Sequence, residues 1–121
     1  ERFSPVGSRG GWGRHGVKAN FDQMPAEATS VLELCATAER FTRDPRYHDC
    51  VLQAAAWFDG DNAHGLCLID PETGACFDAL RADGADRNQG APATVAYLLA
   101  RAGLSEPAPI EMAAAAHMVI G

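Results

Sequence analysis

Residues 25–59, PAEATSVLELCATAERFTRDPRYHDCVLQAAAWFD, decide the fold of this chain. A first helix is predicted to begin near Pro25, because proline is favoured in the first helical turn. Asp44 and Pro45 predict the start of a second helix, since aspartate caps free amides and proline suits the first helical position. This helix should end before Gly60. The connection is so short that the two helices are expected to form a tight antiparallel hairpin.

Each of these helices carries an apolar stripe at helical spacing. Asp22 or Gln23, just upstream, is expected to cap the first helix. Cys35 and Cys50 are both placed on apolar faces, where a free thiol behaves as a small hydrophobic group. The stripes are Ala28, Val31, Leu32, Cys35 and Ala38 on the first helix, and Tyr47, Val51, Ala54, Ala55 and Phe58 on the second.

The rest of the chain divides around this hairpin. Residues 1–21 contain a glycine-rich loop, and residues 60–90 are a long irregular segment with a short β-hairpin or extended excursion near 66–78. Residues 91–119 should form C-terminal helices: one from Pro92 to about Ala102, ended by Gly103, and a last one over 110–119. The helix that begins at Pro92 is expected to face the core with Val95, Leu98, Leu99 and Ala102. The fold class is therefore mainly α, in a single helical domain or fragment over residues 1–121.

Composition excludes several classes of partner and site. The net charge is −6, with 16 acidic and 10 basic side chains, so the chain repels phosphate backbones and no nucleic-acid partner is expected. No apolar run approaches the roughly 20 residues needed to span a bilayer, so no membrane association and a cytoplasmic location are expected. The four cysteines form no CxxC pair and the four histidines no HExxH pair, so no metal site and no cofactor are expected. Reduced core cysteines are favoured over disulfides.

Three groups of side chains are candidates for ligand binding. Trp12 lies between arginines in the glycine-rich loop, as aromatic side chains do in many sugar sites, although it can equally fold back on the core. Asp22 with Gln23, and Asn88 with Gln89, precede predicted helix starts, where they can bind a ligand or simply cap the helix. If both helix starts lie on one rim, these pairs face a shared cleft. Acidic residues also concentrate in and beside the irregular segment: Asp59, Asp61, Asp70, Asp78, Asp83 and Asp86. They can be interpreted either as paired catalytic carboxylates or as turn-forming aspartates.

Five short segments occur in a characteristic order along the chain: RGGW at 9–12, FDQMPAEA at 21–28, WFDGDN at 57–62, DPETGACFD at 70–78 and NQGA at 88–91. Together they resemble the C-terminal, all-helical region of bacterial proteins described as glycosyltransferases, and the similarity extends over residues 9–101. This region is similar to the α/α toroids of many enzymes that act on glycosides, so antiparallel helical hairpins forming part of such a toroid are implied.

The resemblance implies a glycan or sugar moiety as partner, and it assigns possible sugar contacts. Pro92 and Ala93 stand where the family pattern has a glutamate and a serine, so a carboxylate expected there is missing. Asp78 is then the best matched carboxylate and a weak catalytic candidate, and the isolated chain is expected to be inactive. The implied contacts are Trp12, Asp22, Gln23, Asp78, Asn88 and Gln89.

The first functional hypothesis is a carbohydrate-binding or glycan-positioning segment of a glycosyltransferase-associated helical domain. The second is a noncatalytic protein–protein assembly module, and the third a glycoside hydrolase using paired aspartates. A full toroid needs several hundred residues, so we expect a fragment, a truncated relative or a processed product. Self-association, or contact with a missing domain of the same protein, is expected because so few helices should not bury all of their apolar residues, namely Val31, Leu32, Val51, Phe58, Val95 and Leu99.

Overall fold

The computed structural model describes residues 2–104, and over that range it is mainly helical with one short β-hairpin, as predicted. None of the helices in this range combines the length and apolar character needed to cross a membrane. The helix predicted over 110–119 lies outside the described residues. The elements, in chain order, are α1 (Pro25–Thr42), α2 (Pro45–Asp59), β1 (Ala79–Arg81), β2 (Gly84–Asp86) and α3 (Ala91–Leu104).

Local signals set the ends of the α1–α2 hairpin. Proline occupies the first turn of both helices, and the Asp44 carboxylate accepts a hydrogen bond from the Arg46 amide at 2.9 Å. Gly60 ends α2 with φ of 117°, a conformation that glycine adopts without a steric cost. The predicted side-chain cap of α1 is wrong, because Met24 occupies the cap position and makes no such bond.

The core contains Leu32, Val51 and Phe58 of α1 and α2, as the stripes predicted, together with buried side chains from the irregular segment, β1 and α3. Trp57 is also fully buried, although the predicted stripe did not include it. The inward placement of Cys50 is wrong. The first six residues of α2 are exposed because this end of the helix extends past the core.

Helix α3 packs through a different face from the one predicted. Ala93, Ala96 and Ala100 are buried, whereas the larger Val95, Leu98 and Leu99 are 53%, 57% and 48% exposed. Small side chains allow α3 to lie close to α1, where the Thr29 hydroxyl donates to the Ala96 carbonyl at 2.6 Å. Gly103 lies inside α3 rather than ending it, and a Cβ there would be 2.9 Å from a methyl carbon of Leu32.

The irregular segment is an extended turn followed by the β-hairpin. Ile69 and Cys76 form an isolated bridge across the turn, as the predicted excursion near 66–78 requires. The two strands lie later, at 79–86, where no strand was predicted, with Leu80 opposite Ala85. Leu80 also exchanges two backbone hydrogen bonds of 2.8 Å with Gln23, which fixes the hairpin against the start of α1.

Candidate functional site

A pocket of about 400 Å³ opens where the N-terminal ends of α1 and α3 meet the β1–β2 hairpin. Met24, Pro25 and Ala26 line it from the α1 side, and Gly90 and Pro92 line it from the α3 side. The starts of α1 and α3 therefore lie on one cleft, which was the condition for a site shared by the two polar pairs. The charged side chains that line it are Asp22, Asp78, Arg81 and Asp86.

Asp22 is positioned by a close backbone pairing with the glycine-rich loop. The amide of Ser8 donates to the Asp22 carbonyl at 2.9 Å, and the amide of Arg9 donates to the Phe21 carbonyl at 3.1 Å. A Cβ at Gly7 would lie 2.2 Å from the Phe21 carbonyl oxygen, so the pairing requires glycine at this position. The Arg9 Nε then donates to the Asp22 carboxylate at 3.1 Å.

Asp78 joins the end of the extended turn to the start of α3. Its carboxylate accepts a 2.6 Å hydrogen bond from the Gly90 amide, and its own amide donates to the Asn88 carbonyl at 2.8 Å. A Cβ at Gly90 would lie only 2.8 Å from that carboxylate. Asp78 thus satisfies one of the free amides at the positive end of α3 from twelve positions away.

Asp86 and Arg81 form an ion pair across the β-hairpin, with an oxygen–nitrogen distance of 2.5 Å. The Asp86 carboxylate also accepts from the Asn88 amide at 3.1 Å. Sequence reasoning did not single out Arg81, and no motif or helical spacing marks it. The signal that identifies it is the pairing of β1 with β2, which is a tertiary observation.

Gln23 lies in the core rather than on the pocket. Its side chain is 1% exposed, accepts a 2.8 Å hydrogen bond from the Trp57 indole and donates to the Asn20 carbonyl at 3.0 Å. This places the amide beneath the site, where it joins α2 to the segment that precedes α1. A buried indole N–H needs such a partner.

Three other predicted contacts lie outside the pocket lining. Trp12 is 63% exposed in the glycine-rich loop, and Asn88 is exposed. The Gln89 amide donates to Asp70 at 2.6 Å and accepts from the Thr73 hydroxyl at 2.9 Å, which ties the extended turn to the start of α3. The Glu72 backbone amide and then Gln89 lower the pKa of Asp70 by hydrogen bonding to its carboxylate.

The pocket therefore offers both acceptors and a donor to a polar ligand. The carboxylates of Asp22, Asp78 and Asp86 supply acceptors, and Arg81 supplies a donor. Within residues 2–104, no group of three or more histidine, cysteine or acidic side chains has an arrangement that can hold a metal ion.

A scan against models of known protein families found no match for this chain, and a search of curated protein sequences found no significant match either.

Proposed function

We propose that the pocket binds a hydroxyl-rich ligand of about the size of a sugar unit, which makes the chain a carbohydrate-binding or glycan-positioning segment of a glycosyltransferase-associated helical domain. The observation that supports this proposal is that Asp22 and Asp78, two of the residues assigned to sugar contacts, line one pocket between two helix starts. The pocket volume of about 400 Å³ is at the lower end of the range for small-molecule sites, which suits a small ligand.

The side chains fit sugar hydroxyls because each hydroxyl is both a donor and an acceptor. An ionised carboxylate has about four lone-pair sites, so Asp22 keeps acceptor capacity beside its bond to Arg9, and Asp78 keeps it beside its bond to Gly90. Hydrogen bonds to a charged acceptor are stronger than neutral ones. The arginine beside Asp86 supplies a donor for a ring or hydroxyl oxygen of the ligand.

The same geometry favours binding over catalysis. The Asp78 carboxylate is held on a backbone amide, and Asp22 and Asp86 each accept from an arginine. All three are arranged as hydrogen-bond acceptors, whereas glycoside hydrolysis needs one carboxyl group that gives up a proton to the leaving group. We therefore infer a noncatalytic role for the isolated chain.

Saturation-transfer NMR with mannose, glucose and oligosaccharides tests this proposal. The unaltered chain should show sugar-dependent signals, and Asp78→Asn should weaken binding about tenfold, because the loss of a charged acceptor costs on the order of 1.5 kcal/mol. Asparagine can still accept from the Gly90 amide, so the start of α3 should persist. Asp83→Asn is the matched control, since Asp83 is an exposed turn residue outside the pocket lining. Absence of any sugar-dependent signal from the unaltered chain contradicts the proposal.

The alternative is a noncatalytic assembly module, and the exposed apolar face of α3 favours it. Leu32, Val51 and Phe58 are buried within the chain and are therefore not available to a partner. Val95, Leu98 and Leu99 remain exposed on α3 and are typical of an interface. Sedimentation equilibrium should then show concentration-dependent self-association that Leu98→Asp abolishes, with Asp83→Asn as a charge-altering control. A monomer at every concentration tested argues against the assembly function.

A further inference from the structure

The pocket at the starts of α1 and α3 has two chemically different sides. Its helix side consists of apolar side chains: Met24, Pro25 and Ala26 at the start of α1, and Pro92 and Ala93 at the start of α3. Pro25 and Ala93 are buried, whereas Ala26 and Pro92 are exposed to the cleft and to solvent. None of these side chains carries a nitrogen or oxygen atom, so none of them offers a ligand a strong hydrogen bond.

The backbone on the helix side is also poor in hydrogen-bond donors. A helix start usually presents free N–H groups to a polar or anionic ligand. Pro25 and Pro92 occupy the first turns of the two helices and have no N–H. The amide of Gly90 is already bonded to the Asp78 carboxylate at 2.6 Å. The helix side is therefore a poor site for a phosphate and suits an apolar group.

The hairpin side of the pocket is charged. Asp78, Arg81 and Asp86 line it from the end of the extended turn and from the β1–β2 hairpin, and Asp22 lies just before α1. The Asp22 and Asp86 carboxylates are each paired with an arginine, and their side chains are only 16% and 14% exposed. These acceptors are held in place and suit hydroxyl groups. A ligand that fills the pocket must therefore present hydroxyls to the hairpin side and an apolar group to the helix side.

We propose that the ligand is a sugar that carries a methyl group, in an acetamido substituent or at a 6-deoxy carbon, and that the helix side selects this group over a hydroxyl. The inference rests on the proposed sugar-binding function and adds the class of sugar. A hydroxyl against the helix side would lose its hydrogen bonds to water without replacement, whereas burial of a methyl group is favourable. The pocket volume of about 400 Å³ is within the range for small-molecule sites and leaves room for the substituent beside the ring.

Sugars that differ in one substituent test this selection on the unaltered chain. Saturation-transfer NMR titrations compare N-acetylglucosamine with N-formylglucosamine, which keeps the amide but lacks the methyl group, and 6-deoxyglucose with glucose. A methyl-bearing sugar should bind at least about fivefold more tightly than its matched control, and its methyl protons should receive the strongest saturation. The pair that differs identifies the source of the methyl group. Equal affinities in both pairs overturn this inference and leave the proposed function standing, whereas absence of binding by every sugar overturns both.

Two proline substitutions locate the selection. Pro92→Ser adds a hydroxyl and an N–H to the helix side and should reduce the methyl preference to nearly one. Pro45→Ser is the matched control, because Pro45 is an exposed first-turn proline of α2 outside the pocket lining; it should keep the full preference. Urea unfolding verifies that each variant folds, and Met24→Gln makes the same side polar if Pro92→Ser does not fold. A methyl preference that survives a polar group on the helix side, or that Pro45→Ser removes equally, overturns the inference.

Discussion

The α1–α2 hairpin and α3 are both helical, but different kinds of interaction determine them. The ends of α2 are set by neighbours in sequence: Asp44 at its start and Gly60 at its end. The start of α3 is held by Asp78, and its middle by the hydroxyl of Thr29 on α1. The ends of the α1–α2 hairpin are thus set locally, whereas distant contacts determine how α3 packs.

The two regions also differ in what they bury. The hairpin places Leu32, Trp57 and Phe58 in the core, while α3 contributes mainly alanines. Close approach through small side chains gives α3 a packed face of little apolar volume and leaves its larger side chains exposed. Helical spacing therefore identifies a helix, but the room available beside its neighbour decides which face packs.

The same substitution on the two regions gives the largest contrast. Leu32→Ala should lower the free energy of unfolding by about 3 kcal/mol, because it removes a fully buried side chain and leaves a cavity. Leu98→Ala should change it by less than about 0.5 kcal/mol, since that side chain is 57% exposed. Urea unfolding of both variants measures the difference. Equal losses would show that the apolar face of α3 is packed and that the comparison fails.

Enlarging a side chain on α3 tests the close approach directly. Ala96→Leu should destabilise the chain by about 2 kcal/mol, because the added carbons must displace α1 and disturb the contact with Thr29. Val95→Leu, one position away on the exposed face, should stay within about 0.5 kcal/mol. Thermal and urea unfolding provide the measurement. A tolerated leucine at position 96 would mean that α3 does not lie tightly against α1.

The predictable part of the fold is the part with local signals. Pro25, Asp44, Pro45 and Gly60 mark helix ends through their own backbone chemistry, so the hairpin follows from the sequence. The orientation of α3 does not follow from the sequence, because its larger residues form a more hydrophobic stripe than the alanines that contact the core. The strands at 79–86 were missed because their pairing with Gln23 lies far apart in the sequence.

The candidate site divides in the same way. Asp22 and Asp78 precede or support helix starts, so the helix-end signals and the motifs identified them as candidate ligand contacts, and both line the pocket. Gln23 directly follows Asp22 in the sequence, yet its side chain faces the buried Trp57 indole. Adjacent residues of an extended segment point to opposite sides, and only the location of the core decides which side meets solvent. Only the pairing of β1 with β2 identifies Arg81 as a residue of the pocket.

The smallest expected effect is an acid dependence at the locally specified start of α2. Side-chain and backbone hydrogen bonds from Arg46 lower the pKa of Asp44, so its charge stabilises the fold above the ordinary aspartate pKa of about 3.9, and this contribution is lost as pH falls through the lowered value. Asp44→Asn keeps an acceptor for the cap but cannot titrate. The unaltered chain should therefore unfold at slightly higher urea than the variant at neutral pH, and the gap should close in acid. Asp70, whose pKa is also lowered, is common to both chains and cancels. A gap independent of pH would mean that the Arg46 pair contributes nothing to the start of α2.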